Sequence, residues 1–306
     1  MEIVFDYLFF AMYNINQLKC SDLKEYERLT YPLLCTRLKN LKSTESILAL
    51  GVSIGSQPIG LIIAEITLNT NHAQILSLFV KPKYRNSGIG TALIVRLERY
   101  IIKSSFCKIL ELNYSYHSAT VSALERLLNK QGWSQPQPQM LLCYSTTNIL
   151  KNAPWLYSYL LPSSFRIFPL VELTVEEYQA IQQQQVLAPW YPEILSPFKG
   201  ELPVEPLNSL GLHYQGQVVG WMATHRISPD TIRYTSLFVR KDLQKMGRAI
   251  PLIAEAIKLQ VNSNISHCTC GIIYNNEPMV RFVRRRLSPF LNEVQEIKRV
   301  YKYLHP

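Results

Sequence analysis

The segment Arg85-Asn86-Ser87-Gly88-Ile89-Gly90 joins an apolar run ending at Val80 to a longer amphipathic stretch, and its residue types suit the capture of an anion. A strand that ends in a glycine-bearing loop opening a helix aims several backbone N–H groups and the positive end of the helix dipole at one spot. Glycine at 88 and 90 lets the backbone approach a phosphate closely. Arg85 adds a forked, positively charged donor. The plain alternative is a strand-to-helix turn in which the glycines satisfy only backbone geometry. A dinucleotide loop needs G-x-G-x-x-G, and the third place here is Leu93; the Gly-Lys-Ser/Thr ending of a P-loop is absent.

The elements that position this loop occur twice. Ser77-Leu78-Phe79-Val80 recurs as Ser236-Leu237-Phe238-Val239, and Gln57-Pro58-Ile59-Gly60-Leu61 has its counterpart in Gln217-Val218-Val219-Gly220-Trp221. The offsets are 159 and 160 residues, and matched order at matched spacing argues for duplication. In the first half, Asp22 and Glu25 form a candidate capping box. Strands are expected over 46–53, 59–67 and 74–80, a helix over 88–103 with Leu93, Ile94, Leu97 and Ile101 on its buried face, a strand over 109–114, a helix over 119–129 and a closing strand over 140–145. The second half repeats this with the capping box Thr174–Glu177, strands over 207–214, 218–227 and 233–239, a helix over 247–261 and a strand over 268–274. Pro154 and Pro162 mark a linker, giving domains at 1–150 and 164–306 with the linker at 151–163. The proline-rich stretch 189–206 reads as an irregular excursion that can cover a pocket.

With 47% hydrophobic residues among 306, the chain can bury two ordinary cores, which excludes a disordered or fibrous protein. Its net charge of +10 favours an anionic partner. Arg281, Arg284, Arg285 and Arg286 at helical spacing read as a solvated face rather than a phosphate track, so nucleic acid is not expected. The six cysteines (Cys20, Cys35, Cys107, Cys143, Cys268 and Cys270) lack C-x-x-C pairs and read as buried thiols of a reducing compartment, with no metal site. Glu2 and Asp6 precede the apolar run 7–12 where a signal peptide carries lysine or arginine, and the run 59–66 is too short to span a bilayer. A cytoplasmic chain without membrane contact is the expectation.

Over residues 78–93 the sequence resembles the acyl-coenzyme A signature of the GNAT N-acetyltransferase superfamily, Q/R-x-x-G-x-G/A, with Arg85, Gly88 and Gly90 at the three fixed positions. Gln244-Lys245-Met246-Gly247-Arg248-Ala249 satisfies the same pattern. The resemblance implies an α/β (α+β) fold of two tandem GNAT-like domains, each a mixed, mostly antiparallel sheet flanked by helices, the second degenerate. It implies that Asn86, Ser87, Gly88, Ile89, Gly90 and Thr91, with Arg85, hold the pyrophosphate of acetyl-CoA, and that the strand end Leu78, Phe79 and Val80 pairs with the pantetheine arm. Gln244, Gly247 and Ala249 would do the same in the second half. The activity implied is transfer of an acetyl group to the amine of a small molecule or peptide, by a monomer or homodimer without a metal. Many family members carry an acidic tyrosine four residues before a Gly-aromatic pair; Gly132-Trp133 is present, but Leu128 holds that place, and Val283 holds it in the second half. Water, or Tyr114 or Tyr116 on the adjacent strand, is the substitute acid, the plain reading of both tyrosines being strand packing. Glu65 and His225, each five residues after the paired glycines, are candidate general bases, against the plainer reading of an ion pair for Glu65 and a backbone bond for His225. His72 and His117 read as surface residues. A non-catalytic acyl-CoA sensor or scaffold is the competing function.

Overall fold

The computed structural model describes residues 13–19, 22–32, 34–35, 47–67, 71–104, 107–116, 121–199, 202–244 and 247–304. His117, Cys20 and the apolar run 7–12 lie outside them. The chain divides into two compact units, Met1–Pro138 with Ile297–Pro306, and Gln139–Glu296.

In the first unit, β1 (Asn14–Gln17), β2 (Ile47–Ile54), β3 (Gln57–Thr67), β4 (His72–Val80), β5 (Ile109–Ser115) and β12 (Glu293–Tyr303) lie side by side in that order. The pairs are antiparallel except β4 with β5, so the sheet is of the expected mixed, mostly antiparallel kind. Helix α1 (Leu23–Tyr26) is short; α2 (Ile89–Ser104) and α3 (Val121–Lys130) are the long ones. The i, i+4 series of α2 is fully buried: Ile89, Leu93, Ile94, Leu97 and Ile101 are all 1% exposed or less. Each such side chain contributes about 2 kcal/mol on removal from water, which fixes the helix, and hence the loop before it, against the sheet.

The second unit orders its strands β6 (Gln137–Thr146), β11 (His267–Ile273), β10 (Thr231–Val239), β9 (Gln217–Ser228), β8 (Leu210–Tyr214) and β7 (Phe165–Pro169). Only β10 with β11 is parallel. Its helices are α4 (Thr147–Leu150), α5 (Val175–Leu187), α6 (Lys241–Gln244), α7 (Ala249–Val261) and α8 (Glu277–Phe282), the last continued by a π-helical turn over Val283–Leu287.

Several expectations are corrected. The division at 150 and 164 is replaced by an exchange of closing strands: β6, from the first half of the sequence, belongs to the second unit, while β12 pairs with β5 from Ile297↔Ser115 to Tyr303↔Ile109. Val300 is buried in the first unit's core, and Lys302 Nζ donates to Glu98 Oε2 of α2 at 2.8 Å. The segment 151–163 is no loose linker, because Ala153, Trp155 and Leu156 are buried in the second unit's core and Pro154 opens a 3-10 turn. Thr174 and Glu177 do form a reciprocal capping box. Asp22 makes no forward cap; its carboxylate accepts from the Lys19 N–H instead.

The excursion 189–206 packs Trp190, Tyr191, Leu195 and Phe198 over Trp221, whose Nε1 donates to the Leu195 carbonyl at 2.7 Å. It ends at Glu205, a carboxylate 5% exposed that accepts from Arg226 Nε at 2.7 Å and from the Leu207 N–H. Arg226, then the Leu207 amide, hold this carboxyl below its ordinary value of 4.5 against the opposing effect of burial. A depressed folded value means that the contribution is complete above about pH 4.5 and disappears as pH falls through it. Glu205→Gln is therefore expected to lower stability by about 1–2 kcal/mol at pH 7. The gap from the parent chain should close as pH falls below the ordinary carboxyl range and through the depressed folded value, measured by urea unfolding across pH.

Candidate functional site

Strand β4 carries a bulge: Ser77 faces Ile63 and Ile75 faces Ala64, leaving Leu76 without an opposite residue. A bulge bends its strand, and β4 pairs with β5 only from His72 to Ile75. Beyond that point Leu78, Phe79 and Val80 have a partner on the β3 side alone. The second unit repeats the device at the equivalent residue, Thr235, with β10 and β11 paired only from Thr231 to Tyr234. Each unit thus opens a wedge between its two parallel strands.

After Val80 the chain makes a 3-10 turn over Pro82–Tyr84 and enters the loop with Asn86 at φ 62° and Gly88 at φ 81°. The Arg85 N–H is bonded to Pro82 O and the Ala92 N–H to Gly88 O. Among the described residues, none of the amide N–H groups from Asn86 to Thr91 has an acceptor. These six donors lead into and open a helix of 16 residues, and free amides at the positive end of a helix are the electrostatic arrangement an oxyanion needs. A Cβ built on Gly88 would meet nothing within 4 Å, so the space beside Gly88 is open, whereas one on Gly90 would meet Leu127 Cδ1 at 3.3 Å.

Arg85 does more than add charge. Its Nε donates to Val80 O at 3.0 Å, pinning the loop to the strand end, while its guanidinium lies 5.8 Å from the Phe79 ring centre. In the second unit Gln244 Nε2 donates to Val239 O at 2.7 Å. Both side chains sit five residues after the carbonyl they bind, which explains why the motif admits arginine or glutamine at that place. Sequence reasoning had no role for this clamp; the shared five-residue spacing was the available signal.

The second loop is the poorer anion site. Gly247 N–H is taken by Gln244 O and Ile250 N–H by Gly247 O, and Pro251 has no N–H. Among its described residues Arg248 and Ala249 retain unpaired amides.

The acid and base candidates are spread over both units. Glu65 is half-buried on β3 opposite Gln74. Tyr114 is 9% exposed within the core of the first unit, and its hydroxyl donates to Glu125 Oε1 at 2.7 Å. Burial, and then the neighbouring Glu125 carboxylate, push this phenol well above its ordinary range, so it holds its proton. Leu128, at the place of the usual acid, is 2% exposed. In the second unit His225 Nδ1 lies 2.8 Å from Thr235 Oγ1. Burial, and then the nearby Arg233, lower its pKa, keeping the ring neutral at pH 7. His72, expected at the surface, is partly covered and lies 3.3 Å from Glu111. The arginine run is solvated as expected, with Arg281 bonded to Glu277 and Arg284 over the Tyr274 ring. Among the described residues no acidic, cysteine or histidine cluster can hold a metal, and no helix is long and apolar enough to cross a membrane.

Residues 10–128 match the sequence model of the Acetyltransferase (GNAT) family. No curated protein sequence matches the chain. Among solved structures, the tandem GNAT protein from the clavulanic acid biosynthesis pathway is similar over 96% of this chain and 99% of its own, with a TM-score of 0.64 at 13% identity. A GCN5-related N-acetyltransferase from Sphaerobacter thermophilus covers 96% of each chain, with a TM-score of 0.63 at 15% identity. The chain therefore has the tandem GNAT fold along its length, and residues 10–128 carry the match to the GNAT acetyltransferase family.

Proposed function

We propose that the first unit binds acetyl-CoA and transfers its acetyl group to the amine of a small molecule or peptide. The observation that carries this reading is the run of unpaired amides from Asn86 to Thr91, which fits a pyrophosphate, beside a strand end that no strand pairs on its second edge from Leu78 to Val80. The thioester supplies an activated acyl carbon. The chain's part is to fix the diphosphate on Arg85–Thr91, to align the extended pantetheine along Leu78–Val80, and to offer a backbone N–H where carbonyl oxygen charge develops. Glu65, on the strand neighbouring β4, is the group proposed to accept the ammonium proton, directly or through water. With Leu128 apolar and Tyr114 bonded to Glu125, the departing thiolate takes its proton from solvent. The second unit, with its depleted loop and the pair His225–Thr235, is not proposed as a second transfer centre.

Calorimetry with acetyl-CoA tests the site. Arg85→Gln keeps the clamp that Gln244 makes in the other unit and removes only charge, so affinity is expected to fall by about tenfold, whereas Arg85→Glu places like charge beside a phosphate and should cost about 100-fold. Equal affinity in both variants removes the assignment. A screen of amines with thiol detection then separates transfer from the second reading, a sensor that binds acyl-CoA without turnover, which the apolar Leu128 and Val283 favour. Release of coenzyme A no faster than background with every amine supports the sensor.

A further inference from the structure

The wedge of the second unit leads into a cavity of about 590 Å³. Its floor is Ile253 and Ile257 of α7, one wall is Ile194 and Leu195 of the irregular excursion, and Met279 and Phe282 close it from α8. Among the described residues no lysine, arginine, histidine, aspartate or glutamate lines it, and its polar groups there are amides, hydroxyls and the thiols of Cys143, Cys268 and Cys270. Burial pushes Cys268 up to about 12, so that thiol carries no charge. A buried ion without a counter-charge is strongly disfavoured, which rules against a phosphate or carboxylate seated inside. The anchor for a diphosphate at the mouth is also reduced: of the four described amides from Gly247 to Ile250 two are unpaired, against all four of their counterparts from Gly88 to Thr91. Val283, in the place of the usual acid, lies on the π-helical turn and faces the cavity, and such turns recur where a helix is reshaped around a ligand.

From this combination we infer that the second unit is a binding site for an uncharged aliphatic chain, an alcohol, ester or amide of a medium-length hydrocarbon. The inference is independent of acyl transfer in the first unit. Hydrophobic burial sets its energetics, and each added methylene tightens binding by roughly three- to fourfold while the cavity has room. The Asn275 and Asn276 side chains at the cavity border suit the hydroxyl or carbonyl end of such a ligand.

Titration calorimetry of the full chain with 1-hexanol, 1-octanol and 1-decanol is expected to show one saturable site with affinity rising about tenfold per two carbons. Decanoate at pH 8 should bind at least about tenfold more weakly than decanol. Met279→Trp, at a half-buried wall position, should abolish alcohol binding while leaving the circular dichroism spectrum and acetyl-CoA titration unchanged; Phe282→Ala, which enlarges the cavity, should shift the chain-length optimum upward. Absence of saturable binding in the parent chain, affinity independent of chain length, or decanoate binding as tightly as decanol overturns the inference. One-for-one displacement of decanol by coenzyme A overturns it as well, by making the cavity a coenzyme A pocket. Loss of acetyl-CoA binding by Arg85→Glu with alcohol binding intact bears only on the first unit.

Discussion

Gly88→Val is expected to weaken acetyl-CoA binding by at least about 100-fold while lowering stability by only about 1–2 kcal/mol. Gly88 sits at φ 81°, a region where a β-branched residue is strained, so the loop either keeps its path under strain or shifts and disperses its amides. If the path is kept, the isopropyl group fills the open space beside Gly88, within the run of unpaired amides, and is expected to hinder a phosphate there. Both outcomes remove the anion site. Gly55→Val is the control: Gly55 turns the β2–β3 hairpin at φ 55°, also with nothing within 4 Å of a built Cβ. Its strain should be similar and its acetyl-CoA affinity unchanged. Calorimetry and thermal unfolding of the two variants side by side measure the difference; equal affinity in both would dissociate the loop from the ligand.

The duplicated glycines Gly60 and Gly220 give the second large effect, and it is asymmetric. A Cβ on Gly220 would lie 2.5 Å from Phe238 O and 3.1 Å from Val239 Cα, both backbone atoms of the paired strand. A Cβ on Gly60 would meet Ile89 Cγ2 at 3.3 Å, Leu93 Cδ1 at 3.4 Å and Phe79 O at 3.5 Å, so only side-chain ends need give way by tenths of an ångström. Gly220→Ala is expected to cost about 3 kcal/mol, because the β9–β10 ladder must part, and Gly60→Ala less than about 1 kcal/mol. Urea unfolding of both single variants checks this; similar losses would mean that β9 and β10 relax as easily as side chains do.

The sequence disclosed the strand, loop and helix around Arg85–Gly90 better than the sheet that frames them. Both copies of the motif carried their own evidence in the offset of Ser77–Val80 and Ser236–Val239, and the structure gives each a bulge at the equivalent residue, Leu76 or Thr235. The Thr174 capping box was legible because its partners lie three residues apart and need nothing else. Asp22 has the same spelling to Glu25, yet a competing local donor, the Lys19 N–H, takes its carboxylate. The prolines at 154 and 162 suggested a linker, whereas Trp155-Leu156 between them signalled burial. Strand β12 was missed because Glu293–Tyr303 alternates weakly and carries charge throughout. Its pairing with β5 lay beyond any local reading: periodicity says that a segment can be a strand and which face it buries, not which neighbour it will take.

That exchange reverses the usual order of events at the ribosome. Domains made from a continuous stretch can settle as soon as they emerge, N-terminal one first. Here the edge of β5 waits for β12, synthesised only after the whole of the other unit, and until then its backbone donors and acceptors stand open to stray pairing. Cutting the gene at residue 150 would make this wait permanent and would strip β6 from the sheet it completes. The two units are separable as cores but not as inheritable modules: each half of the message encodes a piece of the other's scaffold.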